Sequence, residues 1–168
     1  LHGFILLEES IVFPLLLTLI SALSWQDSIS VTHSLGLCNK LISVVFCMPS
    51  LQALLGQGLF PELVNALLYP TKWLQGCEWE IVNCLVDIYR TLVLSQPSLL
   101  ESSPKSMRQN NPINESPRAT LLQFVNIDRL DEFEKSILDS KTVKDMRESC
   151  RELFKEIRES LNLSNNDH

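Results

Sequence analysis

Residues 78–94 read EWEIVNCLVDIYRTLVL, and this stretch decides the fold class. Its apolar side chains recur at steps of three and four residues, which is the spacing of one face of an α-helix. The strand alternative would require strict alternation of apolar and polar residues, which is absent. The sequence therefore predicts a helix from about Glu78 to Leu94, whose apolar face consists of Ile81, Cys84, Leu85, Ile88 and Leu92.

The same helical spacing continues towards the N-terminus. Pro14 suits the first turn of a helix, because its missing N–H costs nothing there, and we expect that helix to run to about Trp25. Asp27 follows in a polar turn with capping side chains. A second helix is predicted from Ile29 to about Cys47, and its apolar positions are Val31, Leu35, Cys38, Ile42 and Val45.

Residues 51–68 are predicted to form either one helix or two short ones, the latter interrupted at Gly56-Gln57-Gly58 and restarted at Pro61. The predicted helices form two pairs, at about 14–47 and 50–94, each close to the length of roughly 40–47 residues that is typical of a HEAT or armadillo repeat. Both helices of each pair are apolar on more than one face, so stacking is needed to bury them. We predict an all-α fold in which antiparallel helical pairs of HEAT-repeat type stack as an α-solenoid segment.

Charge is distributed unevenly along the 168 residues, whose net charge is −6. Residues 1–100 contain three basic and seven acidic side chains, and residues 101–168 contain eleven and thirteen. The balance excludes a free-standing basic nucleic-acid module and predicts a buried stack followed by a solvated end. The uncharged run 11–25 is shorter than the roughly 20 residues of a membrane span, so a core helix is predicted there. Because the chain begins with Leu, we expect a piece of a longer protein.

The C-terminal third divides into a loop and a helical pair. Residues 95–119 are rich in Ser, Pro and Asn and are predicted to form a flexible loop, because prolines interrupt helices. Residues 120–168 are predicted to form a helical pair with disordered last residues, after the two HEAT-like pairs of residues 1–94. Asp128 or Asp131 is the expected cap of the first helix of that pair.

The last helix, expected at about 142–161, has three parallel stripes when it is drawn at about 100° per residue. The first stripe is apolar and contains Val143, Met146, Cys150, Leu153, Phe154 and Ile157. The second is basic and contains Lys144, Arg147, Arg151, Lys155 and Arg158, which could contact the phosphates of an RNA or another partner. The third is acidic. We favour the alternative of a solvated helix in which Lys144–Glu148 and Lys155–Glu159 pairs form and basic side chains follow the apolar edge.

Catalytic and metal-binding motifs are absent from the sequence. It has no nucleophile elbow, P-loop or GxGxxG motif, and the five cysteines show no zinc-ligand spacing with the three histidines. We therefore predict neither enzyme activity nor a cofactor or metal, and we expect reduced thiols in an intracellular protein. The tryptophans are expected to act as packing residues between helices, since basic residues are not interleaved with them; they are Trp25, Trp73 and Trp79.

Three segments carry a resemblance to a known family. The run SALSWQDSISVTHSLGLCNKLISVV (21–45) resembles a late HEAT repeat of exportins of the exportin-five/HASTY type, with an Ala-x-x-Trp-x-Asp helix end before a helix that contains Cys38. LQGCEWEIVNCLVDIYRTL (74–92) resembles the helix that follows it in that family. FVNIDRLDEFEKSILDSKTVKDMRESCRELFKEI (124–157) resembles the C-terminal element, a short aromatic-centred helix followed by one rich in Lys and Arg.

The resemblance implies a superhelical nuclear transport receptor of the importin-β superfamily, of which this chain would be the C-terminal end. Such exportins bind Ran-GTP and double-stranded small RNA, typically microRNA precursors, shuttle between nucleus and cytoplasm through contacts with nuclear pore proteins, and perform no covalent chemistry. Their principal Ran-binding surface lies near the N-terminus, outside this chain, so no Ran contact is assigned here. The alternative is a generic helical-repeat scaffold for protein–protein interaction.

Overall fold

The computed structural model describes residues 9–42, 48–94 and 112–166. Within these ranges all regular structure is helical, which confirms the all-α prediction. A 3₁₀ turn (Ala22–Ser24) follows the first helix, and two π-helical segments, Leu54–Leu59 and Arg90–Leu94, continue longer helices. The α-helices are α1 (Glu9–Ser21), α2 (Ser28–Ile42), α3 (Pro49–Ala53), α4 (Phe60–Leu68), α5 (Glu78–Tyr89), α6 (Pro112–Leu121), α7 (Ile127–Asp139) and α8 (Val143–Asn166).

Helix α1 starts earlier than predicted, and Pro14 lies inside it rather than in its first turn. An internal proline costs about 3 kcal/mol because it removes one hydrogen bond and crowds the preceding turn. The earlier start buries Val12 on the same face as Leu16 and Leu19, and one such burial contributes roughly 1.5–3 kcal/mol. The two effects are therefore of similar size. The opposite face leaves Ile11 and Leu17 exposed, so only one side of the predicted core helix is buried.

Helix α2 has the predicted apolar face and the predicted polar start. Val31, Leu35, Cys38 and Ile42 are all buried, whereas Val45 lies outside the described residues. Before the helix, the Asp27 carboxylate accepts hydrogen bonds from the backbone N–H groups of Ile29 and Ser30, at 3.2 and 3.3 Å, and also from the Ser30 hydroxyl. Asp27 therefore caps α2.

Of the two alternatives for residues 51–68, the structure has the single helix, because the chain stays helical from α3 through α4 and the interruption at Gly56-Gln57-Gly58 does not occur. The glycines and their neighbours form the π-helical segment Leu54–Leu59, and Pro61 follows it inside α4. A wider turn accommodates a proline whose ring would otherwise clash with the carbonyl four residues earlier. Burial of Leu55 and Leu59 in the core favours continuity over a break.

Helix α5 confirms the helix predicted from residues 78–94, since its π-helical continuation ends at Leu94. It is the central helix of the described fold and contacts α2, α4 and α8. This position explains why its sequence is apolar on several sides. Its buried residues are Ile81, Val82, Cys84, Leu85, Val86, Ile88 and Tyr89.

The loop predicted at 95–119 is wrong over its last eight residues, which belong to α6. Pro112 occupies the first position of that helix, where proline is tolerated, but Pro117 lies inside it. Helix α6 packs against both π-helical segments and buries Pro117, Arg118 and Leu121. Tertiary packing thus overrides the local preference. Residues 95–111 lie outside the described residues.

Helices α7 and α8 form the predicted C-terminal pair, and the short connection between them makes them antiparallel. The cap of α7 is Asn126, whose side chain accepts a 2.8 Å hydrogen bond from the Arg129 N–H, so the predicted aspartate caps are wrong. Helix α8 continues to Asn166, past the expected end at about residue 161 and into the segment predicted to be disordered. It returns to α4 and α5, and its apolar residues join the same core as those of α1–α5.

Candidate functional site

Helix α8 carries the only binding stripe that the sequence predicts, and its apolar side is buried as expected. Cys150, Leu153, Phe154 and Ile157 lie in the core, where they fix the rotation of the helix against α4 and α5. The exception is Val143, which is 42% exposed at the first turn. The rotation directs part of the basic stripe towards α5 and the rest towards solvent.

Arg147 is directed towards the start of α5. Its guanidinium carbon lies 5.4 Å from the centroid of the Trp79 ring, a cation–π arrangement worth about 0.5–1 kcal/mol at an exposed site. Its Nε is buried and has no hydrogen-bond partner among the described residues. Arg147 is thus engaged mainly in helix packing.

Arg151 and Arg158 also face neighbouring elements of the fold. The Arg151 Nε lies 3.5 Å from a carboxylate oxygen of Glu78 on α5, and its Nη1 lies 3.5 Å from Glu148 on its own helix. Arg158 borders a small pocket between α4 and α5, next to Glu78. The contact with Glu78 is solvent-exposed and therefore worth at most about 1 kcal/mol.

Lys144 and Lys155 complete the basic stripe and are exposed. The predicted i, i+4 pairs with Glu148 and Glu159 are absent from the ion pairs of the described chain, where Glu148 contacts Arg151 instead. The five predicted contact residues therefore lie on one helix but do not form one free surface. Their role in binding RNA stays a prediction.

The acidic stripe of α8 has structural contacts that spacing alone did not predict. The Asp145 carboxylate accepts a hydrogen bond from the Thr142 N–H at 3.2 Å, and the Thr142 hydroxyl accepts one from the Asp145 N–H at 3.1 Å. This reciprocal arrangement is a capping box. Glu156 accepts two hydrogen bonds from Arg129 of α7, at 2.8 and 2.9 Å. The bond from Arg129 is the main reason why the pKa of Glu156 is lowered.

A buried polar cluster joins α5, α6 and α7, and sequence reasoning missed it. Glu134 accepts a 2.5 Å hydrogen bond from the Tyr89 hydroxyl and also pairs with Arg118, whose other terminal nitrogen lies 3.4 Å from Asp131. Burial lowers the pKa of Arg118, but attraction and hydrogen bonding to Glu134, together with the smaller effects of Tyr89 and Asp131, outweigh it and the net pKa is raised. The only sequence signal was a charged residue, Glu134, between two core positions of α7.

Burial lowers the reactivity of three cysteines, namely Cys38, Cys84 and Cys150. Cys38, Cys77, Cys84 and Cys150 are free thiols in the core, and Cys47 lies outside the described residues. Burial raises the pKa of Cys38 and of Cys150 to about 12 and that of Cys84 further still. Since the thiolate is the reactive form, these side chains act as small hydrophobic groups. No cluster of three or more potential metal ligands occurs in the described ranges.

The tryptophans are more exposed than the predicted packing between helices implies, although the Trp79 ring on α5 does contact Arg147 of α8. Trp25, Trp73 and Trp79 are 43, 38 and 42% exposed. The Lys72 ammonium lies 5.5 Å from the centroid of the Trp73 ring. Two of the three indoles therefore contact a basic side chain: Trp73 contacts its neighbour in the sequence, and Trp79 contacts Arg147 of α8. His33 is likewise exposed. None of the helices in the described part of the chain has the length and apolarity needed to cross a membrane.

Comparison with known proteins agrees with the resemblance found in the sequence. The family model of the exportin-5 family matches residues 1–159. No curated protein and no solved structure matched the chain. Because the family match spans nearly all of the sequence and agrees with the helical-repeat architecture, the chain belongs to the exportin-5 family of nuclear export receptors.

Proposed function

We propose that this chain is part of a nuclear export receptor that carries structured small RNA, such as microRNA precursors, together with Ran-GTP. The family match over residues 1–159 is the observation that carries the proposal. The stacked helical pairs, which share one core, suit a receptor that binds its cargo without changing it covalently. Ran-GTP would bind elsewhere in the protein, and contacts with nuclear pore proteins would accompany shuttling between nucleus and cytoplasm.

Within this segment we propose that the outward edge of α8 contacts RNA phosphates. Lys144 and Lys155 are exposed, and Arg151 retains 44% of its side-chain surface despite its acidic neighbours. These three residues lie four to eleven positions apart on one helix, so they can follow a phosphate backbone. Arg147 and Arg158, the other two residues of the predicted stripe, are directed towards Trp79 and the pocket and contribute less to this edge.

The export function is tested with the intact protein that contains this chain. A fluorescent RNA hairpin with a short overhang should bind tightly in the presence of Ran-GTP and at least ten-fold more weakly with Ran-GDP. Binding of protein partners without any RNA binding in either state would favour the alternative, a helical-repeat scaffold.

The local RNA contact requires a charge-matched comparison. Lys144→Glu/Lys155→Glu should weaken hairpin binding and reduce the slope of log affinity against log salt by about 2, one for each lost phosphate contact. The control Lys40→Glu/Lys135→Glu changes the net charge equally at two other exposed positions. If both double variants lowered the affinity and the slope equally, the effect would be one of net charge and α8 would not be the contact.

A further inference from the structure

A small pocket of about 100 Å³ lies where α8 crosses the junction between α4 and α5. Its floor consists of side chains that are buried in the core, namely Leu67, Leu74 and Ile81. Ala66 lines it too and is small enough to leave the space open. A hollow of this size can hold one branched aliphatic side chain.

The rim of the pocket is polar and carries an available cation. Glu78 borders the pocket but already lies 3.5 Å from Arg151. Arg158 borders it as well, and among the described residues no carboxylate lies within 4.0 Å of its guanidinium. Nor is there an acidic residue three or four positions away on its own helix, where the neighbours are Phe154, Lys155, Leu161 and Asn162. Its donors are therefore free to bind a carboxylate.

We propose that this pocket binds a short acidic segment of a partner protein. A leucine side chain of that segment would occupy the apolar floor, and a neighbouring Asp or Glu would accept hydrogen bonds from Arg158. Because Glu78 already contacts Arg151, the unpaired charge on the rim, among the described residues, is that of Arg158, which favours an anionic ligand. A phosphate backbone alone would leave the apolar floor unused, and the floor has no aromatic surface on which a base could stack. The proposal does not depend on the RNA cargo.

The experiment uses a fluorescein-labelled nonapeptide in which a single leucine precedes two glutamates in a serine-glycine background. Fluorescence polarisation with the intact protein should show saturable binding. Replacing the peptide's leucine by alanine, or its glutamates by lysines, should weaken binding at least ten-fold. Arg158→Glu should have the same effect, whereas Lys135→Glu, an equal charge change at an exposed position of α7, should change the affinity less than three-fold.

A second variant tests the pocket by shape rather than by charge. Ala66→Met extends a side chain into the hollow. It should therefore lower the affinity for the leucine peptide at least five-fold and leave the weaker affinity for the alanine peptide unchanged. The proposal is overturned if the peptide does not bind, or if Arg158→Glu and Lys135→Glu weaken it equally. It is also overturned if a short RNA duplex displaces the peptide from the wild-type protein and Arg158→Glu abolishes duplex binding, because Arg158 would then be a phosphate contact.

Discussion

The two ends of the described chain are attached to the same core by different interactions. Helices α1–α5 are held by apolar burial with few polar contacts. One of these contacts is the 2.6 Å hydrogen bond that Asn39 of α2 donates to Asp87 of α5. Helices α6–α8 add charged contacts to the apolar ones, above all the buried cluster of Arg118, Glu134 and Tyr89. An uneven charge distribution along a sequence therefore does not imply separate domains.

The two kinds of interaction also respond differently to substitution. Apolar burial is non-directional, so the stacked helices tolerate volume-conserving changes. A buried ion pair contributes little net stability when complete but is costly when one partner is removed. The C-terminal helices should consequently be more sensitive to single charge changes than their modest apolar content suggests.

The largest effect is expected from breaking the buried cluster. Arg118→Ala should lower the free energy of unfolding by about 3–5 kcal/mol, because Glu134 would remain buried without its guanidinium partner. Urea denaturation followed by circular dichroism measures this loss. The double variant Arg118→Met/Glu134→Leu should recover more than half of it. A loss below about 1 kcal/mol for the single variant would mean that solvent reaches the pair.

The next effect tests whether α8 shares one core with α5. Leu153→Ala and Leu85→Ala should each cost about 2–5 kcal/mol, because both leucines are fully or almost fully buried. Both should shift one common unfolding transition. Leu163→Ala, at a position 69% exposed on α8, is the matched control and should stay within about 0.5 kcal/mol. Separate transitions for the two core variants would show that α8 unfolds independently.

A smaller effect concerns the start of α7. Asn126→Ala removes the acceptor for the Arg129 N–H and should cost about 1 kcal/mol, as expected for the loss of an N-cap. Faster amide hydrogen exchange in the first turn of α7 should accompany it. Gln123→Ala, at an exposed position in the turn before the helix, should leave the exchange rates unchanged. Equal rates in both variants and the wild type would exclude a capping role for Asn126.

The smallest effect is a pH dependence at the junction of α7 and α8. Because Arg129 lowers the pKa of Glu156 below its ordinary value of 4.5, the pair stabilises the fold above that pH and the contribution is lost as pH falls through the lowered pKa. The group is half exposed, so the contribution is below about 1 kcal/mol. Glu156→Gln should reduce the melting temperature slightly at pH 7 and not at pH 2. A constant difference at both pH values would contradict the assignment.

Much of the fold could be predicted because the buried face of a helix requires apolar residues at a regular spacing in the sequence. The described faces of α2 and α5, and the apolar stripe of α8 apart from Val143, were predicted correctly, since burial selects apolar residues at every third or fourth position. Besides the cap of α7 and the extent of α8, the errors concern Pro14, Pro61 and Pro117, which all lie inside helices. In each case a local rule, that proline begins a helix or interrupts one, was outweighed by packing against distant residues, which the sequence around the proline does not contain.

The candidate site was less predictable than the fold. The sequence placed five basic residues on one side of α8, but it could not show that Trp79 and Glu78 would approach two of them from α5. Nor could it show that the turn before α5 would leave a pocket beside Arg158. These neighbours are more than 60 positions away along the chain from the basic residues of α8, so no local sequence pattern could predict the contacts.

The sequence by itself determined the helical class, the main apolar faces and the family resemblance, because each depends on residue order over short segments. Only the tertiary structure decided how α8 returns to α4 and α5, which cations remain exposed, and that Arg118, Glu134 and Tyr89 meet. The physical reason is that periodicity specifies which face of a helix is buried but not which partner covers it. The choice of partner depends on the combined packing of all the helices, and the function of an exposed residue depends on that choice.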